Sequence, residues 1–206
     1  MIILSHRGYW KKDSEKNTMK AFKRSFKFGF GLETDVRNYN SKIVISHDVP
    51  DKHSINIENL FDVYDNNLCL ALNIKSDGLA IYVKDLLYAY GIKNYFVFDM
   101  SIPDTIEYID NNMNVFIRQS DIEYTPDLHK QTKGIWLDEL YKDYICTDIV
   151  NYINKNKKVC VVSPELHNKK YLKRWQHFKQ FDESVLLCTD YPEKANEVFN
   201  DNINNF

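Results

Sequence analysis

The feature that most constrains the fold of this chain is a regular alternation of short apolar runs with amphipathic, helix-type segments. Eight runs are strand-like, and nearly all of them end in a polar residue. Strands that alternate with helices imply a parallel sheet with right-handed crossovers. The eight runs lie at residues 2–4, 31–36, 68–75, 95–99, 115–118, 135–138, 158–163 and 185–189.

Eight strand–helix units close as a (β/α)8 barrel, so we predict a compact TIM barrel that forms a single domain over residues 1–206. Such barrels typically have about 250 residues, with a lower limit of about 200, so the loops here must be short. Residues 42–47 follow a polar turn and are expected to pair back onto the second strand as a hairpin extension. An open doubly wound sheet is the alternative, although no glycine-rich loop follows the first strand.

The composition of the chain excludes several classes of protein. A hydrophobic content of 44% and an aromatic content of 14% exclude a disordered chain. No apolar run approaches the roughly 20 residues that a membrane span needs. The chain has a net charge of −2, and its lysines and arginines are scattered along the sequence, a pattern that does not favour nucleic-acid binding. Because the N-terminal apolar run is too short for a signal peptide, we expect a cytoplasmic protein without a stable membrane anchor.

The polar residues at the ends of the early strands predict a reaction site, because barrel enzymes carry their chemistry where strands run into the following loops. His6 and Arg7 follow closely after the first run, and the hairpin arm ends at His47. Glu33 and Asp35 are two residues apart on a strand, so their carboxylates point to one face. Carboxylates suit hard cations and imidazoles suit proton transfer, which indicates metal-assisted acid–base chemistry. A salt-bridged barrel rim is the alternative for the two carboxylates.

Five short motifs, spread from the first strand to the last, resemble the glycerophosphodiester phosphodiesterase family in order and spacing. They are His6-Arg7-Gly8, Asn17-Thr18, Glu33-x-Asp35-Val36, His47-Asp48 and Thr189-Asp190-Tyr191-Pro192. The resemblance implies a TIM-barrel hydrolase that cleaves a small-molecule glycerophosphodiester to sn-glycerol 3-phosphate and an alcohol. It also implies a divalent cation, with Mg²⁺ the first candidate and Ca²⁺ or Mn²⁺ the alternatives.

By this resemblance, the expected general acid–base pair is His6 and His47, and the expected metal ligands are Glu33 and Asp35. These residue types suit the reaction, because a phosphodiester is a stable anion. The site must neutralise its charge while imidazoles move protons to and from oxygen. The sequence leaves open which imidazole is the acid and which is the base.

Further residues are candidates for binding the phosphate or the rest of the substrate. The resemblance implies phosphate contacts for Arg7 and for Lys75, which matches the lysine of the family's Glu-x-Lys motif. Arg118 and Trp136 lie on later strands near the expected mouth and are candidates for substrate binding. Arg118 could instead pair with Asp138, and this alternative stays open.

Asn73 is the first departure from the family's pattern, because the family usually has a metal-binding glutamate on the third strand. The amide of Asn73 could supply an oxygen to the metal without charge, or the residue could be structural. The segment between His47 and Asn73 is also short, so we expect no large inserted lobe there.

Lys16 is the second departure, because the family's usual Pro-Glu-Asn-Thr segment reads Glu-Lys-Asn-Thr here. If Lys16 points inward, it becomes a candidate phosphate contact, and together with Asn73 it makes the site more positive. Either the metal then binds weakly and is completed by substrate oxygens, or the natural substrate carries more negative charge than a simple glycerophospho-alcohol.

Two other functions remain as alternatives. One is a sphingomyelinase D or phospholipase D-like phosphodiesterase that releases a cyclic phosphate. The other is a non-catalytic phosphate-binding barrel with a decayed metal site, against which the retained pair of His6 and His47 argues. The four remaining histidines are expected to be solvated: His53, His129, His167 and His177. The sequence leaves open the oligomeric state and a role in lipid or surface-polysaccharide metabolism.

Overall fold

The strands and helices alternate along the chain in the computed structural model, which describes residues 1–65, 67–124, 126–142, 145–181 and 183–200. The strands in these ranges are β1 (Ile2–His6), β2 (Gly31–Tyr39), β3 (Lys42–Ile45), β4 (Ile55–Asn56), β5 (Leu70–Ile74), β6 (Tyr95–Phe98), β7 (Phe116–Ser120), β8 (Gly134–Asp138), β9 (Lys158–Val162) and β10 (Val185–Thr189). The α-helices are α1 (Met19–Lys27), α2 (Ile57–Phe61), α3 (Ala80–Ala89), α4 (Ile102–Asp110), α5 (Pro126–His129), α6 (Ile145–Ile153), α7 (Leu172–Phe178) and α8 (Pro192–Phe199).

The chain divides into two compact units. The terminal unit contains Met1–Ser5 and Phe116–Phe206, and the central unit contains His6–Val115. In the terminal unit the strands lie in the order β1-β10-β9-β8-β7, and every neighbouring pair is parallel. Strands β8 and β10 are buried along their whole length, which explains why they are continuous apolar runs in the sequence.

The central unit holds a sheet in the order β4-β3-β2-β5-β6. Strands β2, β5 and β6 are parallel, whereas β3 pairs antiparallel with the outer part of β2. The hairpin extension is therefore confirmed, with Val36 opposite Ile45 and Tyr39 opposite Lys42. The two-residue strand β4 was not predicted, because so short a segment shows no periodicity.

The core of the central unit consists of apolar residues from its helices and strands packed together. Phe22 of α1, Leu32 of β2, Leu72 of β5 and Tyr108 of α4 are all completely buried in this cluster. Burial on this scale makes β2 and β5 rigid supports for the polar side chains that they carry.

Helix boundaries in this unit follow local signals. The Thr18 hydroxyl accepts a hydrogen bond from the Ala21 amide at the start of α1 (3.4 Å). Ser101 does the same for α4, and Gly91 has a left-handed φ of 64° after α3. No helix in the described ranges is long and apolar enough to cross a membrane.

Candidate active site

Three oxygen-bearing side chains lie on β2 and β5 of the central unit. Glu33 and Asp35 are each only 1% exposed, and the pleat of β2 directs both carboxylates to one face. Asp35 is in register with Asn73 on the neighbouring strand β5. Asn73 is 9% exposed, and its side-chain oxygen has no hydrogen-bond partner among the described residues.

The end of β1 brings a histidine and an arginine to these carboxylates. The Nε2 atom of His6 lies 4.0 Å from Oε2 of Glu33. The Arg7 amide donates to the same oxygen (3.1 Å), and the Arg7 Nε atom lies 3.2 Å from Oδ2 of Asp35. Arg7 has a left-handed φ of 54°, so its backbone and its side chain contact both carboxylates from one tight turn.

The backbone conformation and close surroundings of Gly8 explain why the third residue of the His-Arg-Gly motif is glycine. Its φ is 87°, a conformation that side chains rarely adopt. A Cβ atom at this position would also lie 2.7 Å from Cβ of Ala21. The turn that presents His6 and Arg7 therefore requires glycine.

Asp35 is surrounded by donors and cations. The Asn17 side-chain amide donates to Oδ2 (2.8 Å), and Nζ of Lys75 lies 3.8 Å from Oδ1. Lys75 also donates to Oδ2 of Asp99 (2.9 Å), whose backbone is left-handed at φ 72°. Asp99, which directly follows the last residue of β6, thus contacts a predicted phosphate-binding residue. Its position at a strand end is the sequence signal that could have identified it.

His47 lies just beyond β3, and its side chain is 45% exposed. Its Nδ1 atom is 2.9 Å from Oδ1 of Asp48. Arg37 donates two hydrogen bonds to the His47 carbonyl (3.1 and 3.0 Å) and a third to the Lys75 carbonyl (3.0 Å). Arg37 is not among the predicted site residues, although it follows Asp35 by two residues and therefore lies on the same face of β2.

The side chain of Lys16 lies over the indole of Trp10, with Nζ 4.3 Å from the ring centroid. The Trp10 ring N–H donates to the His6 carbonyl (3.2 Å). Nζ of Lys16 also lies 2.9 Å from Oδ1 of Asp13, a side chain that is 85% exposed. Because Asp13 is so exposed, this ion pair is weak, and Lys16 approaches the His6 backbone through Trp10.

Arg118 and Trp136 belong to the terminal unit. They are in register on β7 and β8, Trp136 is 6% exposed, and Arg118 donates to Glu123 (2.7 Å). The partner found for Asp138 is His167, through its Nε2 atom. Substrate binding by Arg118 and Trp136 stays a prediction.

The expectation of four solvated histidines is wrong in part. His53 and His177 are exposed, but His129 is 7% exposed and its Nδ1 atom lies 3.0 Å from the Tyr152 hydroxyl. The pKa of His167 is raised, chiefly by its hydrogen bond to Asp138. Periodicity alone does not reveal such contacts, because they join residues that are distant in sequence.

The pKa of Glu33 is raised to about 7, chiefly by burial and then by the charge of Asp35, against the opposing effect of His6. A cation between the two carboxylates would relieve both effects. No group of three or more His, Cys, Asp or Glu side chains in the described ranges is arranged to hold a metal ion. A cation here therefore needs an oxygen from elsewhere, and the unpartnered Asn73 oxygen fits that role.

We expect Glu33→Gln to gain stability relative to the wild type as the pH rises. The native pKa of Glu33, about 7, lies above its ordinary value of 4.5, so the native state holds the extra proton between these values. Wild-type stability therefore falls as the pH rises through this range, and the glutamine variant escapes this loss. Urea unfolding in EDTA at about pH 5 and about pH 8 measures the difference.

Glu15→Gln is the matched control for this experiment. Hydrogen bonds from Arg24 and Lys20 lower the pKa of Glu15 from 4.5 to about 2, so both values lie below the range measured. Its effect on stability should therefore be nearly equal at both pH values. If the difference in free energy of unfolding between Glu33→Gln and the wild type is also the same at both pH values, the raised pKa of Glu33 is contradicted.

Comparison with known proteins gives structural relatives only. No protein-family model and no curated protein sequence matches the chain. A glycerophosphodiester phosphodiesterase from Parabacteroides distasonis is similar with a TM-score of 0.75 and 17% identity, over 98% of each chain. One from Thermotoga maritima has a TM-score of 0.73 and 16% identity, over 96% of this chain and 98% of its own.

A phosphodiesterase from Oleispira antarctica, solved in complex with the product sn-glycerol-3-phosphate, has a TM-score of 0.73 and 14% identity, over 96% of each chain. Similarity at these levels of identity establishes the fold. The predicted (β/α)8 class is thereby confirmed, and the chain has the fold of the glycerophosphodiester phosphodiesterases.

Proposed function

We propose that this protein is a metal-dependent phosphodiesterase that hydrolyses a glycerophosphodiester to glycerol 3-phosphate and an alcohol. One observation carries the proposal: His6 and Arg7 contact the buried carboxylates of Glu33 and Asp35, which Lys75 also approaches. This cluster combines a proton carrier, two cations and two potential metal ligands. It occurs on a fold shared with a phosphodiesterase that was solved with glycerol 3-phosphate.

The proposed metal ligands are Glu33, Asp35 and Asn73. When bound, a divalent cation would neutralise phosphate charge and polarise a phosphoryl oxygen, and Mg²⁺ is the first candidate for so oxygen-rich a set. Arg7 and Lys75 would bind the remaining phosphate oxygens. Their guanidinium and ammonium charges, which now lie against Asp35, are suited to that role.

The proposed proton carriers are His6 and His47. One imidazole accepts the proton of the attacking water while the new P–O bond forms. The other donates a proton to the leaving alkoxide as the P–O bond to the alcohol breaks. The Nδ1 atom of His47 lies 2.9 Å from Oδ1 of Asp48, a contact that would hold the orientation of the imidazole ring.

Hydrolysis of a small panel of glycerophosphodiesters, followed by ³¹P NMR, tests the function. The panel is run with Mg²⁺, Mn²⁺, Ca²⁺ or EDTA, and His6→Ala serves as the blank. Metal-dependent release of glycerol 3-phosphate that the variant lacks would support the proposal. A cyclic phosphate as the end product would favour the phospholipase D-like alternative. Binding of glycerol 3-phosphate without any turnover would favour the phosphate-binding barrel.

Lys16→Glu should shift substrate preference toward less anionic diesters. The Lys16 ammonium lies on Trp10, which contacts the His6 backbone, so an anionic alcohol half would gain from this charge. The test compares kcat/KM for a diester whose alcohol half carries a second phosphate with kcat/KM for a diester whose alcohol half is neutral. We expect the first-to-second ratio to fall about two- to fivefold, because an exposed ion pair contributes that much. Lys20→Glu is the control, because Lys20 is 69% exposed and pairs with Glu15. An unchanged ratio in Lys16→Glu would count against a substrate-facing lysine.

A further inference from the structure

Arg37 joins two segments that carry predicted reaction-site residues. Its Nε and Nη2 atoms donate to the carbonyl of His47 at 3.1 and 3.0 Å, and its Nη1 atom donates to the carbonyl of Lys75 at 3.0 Å. One half-buried guanidinium therefore holds the backbone on both sides of β2.

Both carbonyls lie just past the ends of their strands. Strand β3 ends at Ile45 and β5 ends at Ile74, so neither His47 nor Lys75 is held by regular strand pairing. The Lys75 amide still donates to the Val36 carbonyl (2.9 Å). Next to His47, the Ser46 amide likewise donates to the Asp35 carbonyl (3.1 Å). Arg37 adds three hydrogen bonds that tie the carbonyls of His47 and Lys75 themselves to β2.

The chemistry of arginine suits this role. A guanidinium presents its N–H groups in a rigid planar fork, so it can hold two acceptors at a fixed angle to each other. Its charge also strengthens each bond to a neutral carbonyl. Glutamine at position 37 would retain a polar side chain but would be too short to bridge both carbonyls.

We infer that Arg37 is a positioning residue that sets the imidazole of His47 and the ammonium of Lys75 relative to the carboxylates of β2. The inference rests on the proposed function for its effect on rate. The structural basis is that Arg37 shares a face of β2 with Asp35, while its three hydrogen bonds reach the segments on both neighbouring strands. Within the described residues the hydrogen bonds of the Arg37 side chain all go to backbone carbonyls, so it acts on the reaction through His47 and Lys75.

A kinetic double-mutant cycle tests whether Arg37 acts through these two residues. Arg37→Gln should lower kcat/KM about 10- to 100-fold, because displacement of a reacting group by about 1 Å has effects of that size. In a His47→Ala or a Lys75→Ala background the same change should have a clearly smaller effect, since one positioned group is already missing. If Arg37→Gln keeps its full factor in both backgrounds, it acts through general stability and the inference fails.

Arg24→Gln is the matched control. Arg24 is also a half-buried arginine of the central unit, and it donates to the Tyr9 carbonyl (2.7 Å) and to Glu15 (2.8 Å). In the double variant Arg24→Gln/His47→Ala, the factor by which kcat/KM falls should equal the product of the two single-variant factors. Arg24 touches neither segment that Arg37 holds, so the two changes should be independent.

A second measurement does not depend on activity. The amides of Asp48 and Ser76 belong to the peptide groups whose carbonyls accept from Arg37, so their ¹H–¹⁵N signals should shift and broaden in Arg37→Gln. In Arg24→Gln the ¹H–¹⁵N signal of the Trp10 amide should shift instead, because this amide belongs to the peptide group whose Tyr9 carbonyl accepts from Arg24. Unchanged Asp48 and Ser76 signals would overturn the inference. If the wild type hydrolyses no diester, the proposed function fails, while these spectra still decide whether Arg37 holds the two segments.

Discussion

His6→Ala is expected to lower kcat/KM for a glycerophosphodiester by about 10²- to 10⁴-fold, the range that general acid–base groups supply. The His6 imidazole ends β1 and lies 4.0 Å from the Glu33 carboxylate, next to the Arg7 amide that donates to the same oxygen. Its side chain is 17% exposed, so it is open to a substrate but fixed by its surroundings. Alanine removes the proton carrier and leaves the strand intact.

His53→Ala is the control for this experiment. His53 is exposed in a loop of the same unit, where its amide donates to Asp51 (2.8 Å). Activity should be unchanged in this variant. Steady-state hydrolysis by both purified variants, with circular dichroism to confirm folding, makes the comparison. Retention of wild-type activity by His6→Ala would remove the central element of the proposed mechanism.

Asp35→Asn is expected to have the second large effect, a loss of activity of roughly 10²-fold or more, because metal-assisted stabilisation of a phosphoryl group supplies several kcal/mol. Asp35 is buried between Arg7 and Lys75, and Asn17 also donates to it. The amide would keep the shape of the side chain. It would remove the charge that is proposed to bind a cation and that balances Arg7 and Lys75.

Isothermal titration with Mg²⁺ measures the same effect without substrate. The wild-type Kd for Mg²⁺ should not be submicromolar, because Asn73 contributes no charge. Asp35→Asn should raise this Kd further. Asn73→Glu provides the opposite change, since it adds a carboxylate in register with Asp35. Tighter binding in Asn73→Glu together with weaker binding in Asp35→Asn would support the ligand set. Unchanged affinity in both variants would contradict it.

Much of this fold follows from rules that act over a few residues. The strand-like runs became strands because apolar, β-branched segments pack on both faces of a parallel sheet, as β8 and β10 do. The two-residue repeat of a strand is enough to put Glu33 and Asp35 on one face. Thr18 caps α1 through an amide only three residues away. Such features can be predicted because both partners lie within one turn or one strand.

The partners of most site residues were decided by the tertiary structure. The register of β2 on β5 sets Asn73 beside Asp35, and a shift of one residue would have turned it to the other face. Lys16 lies on Trp10, and His129 is buried against Tyr152, neither of which the sequence indicated. Composition and periodicity determine which segments become strands and helices, and which side chains share a face. Contacts between distant segments depend on register and packing, which only the folded chain establishes.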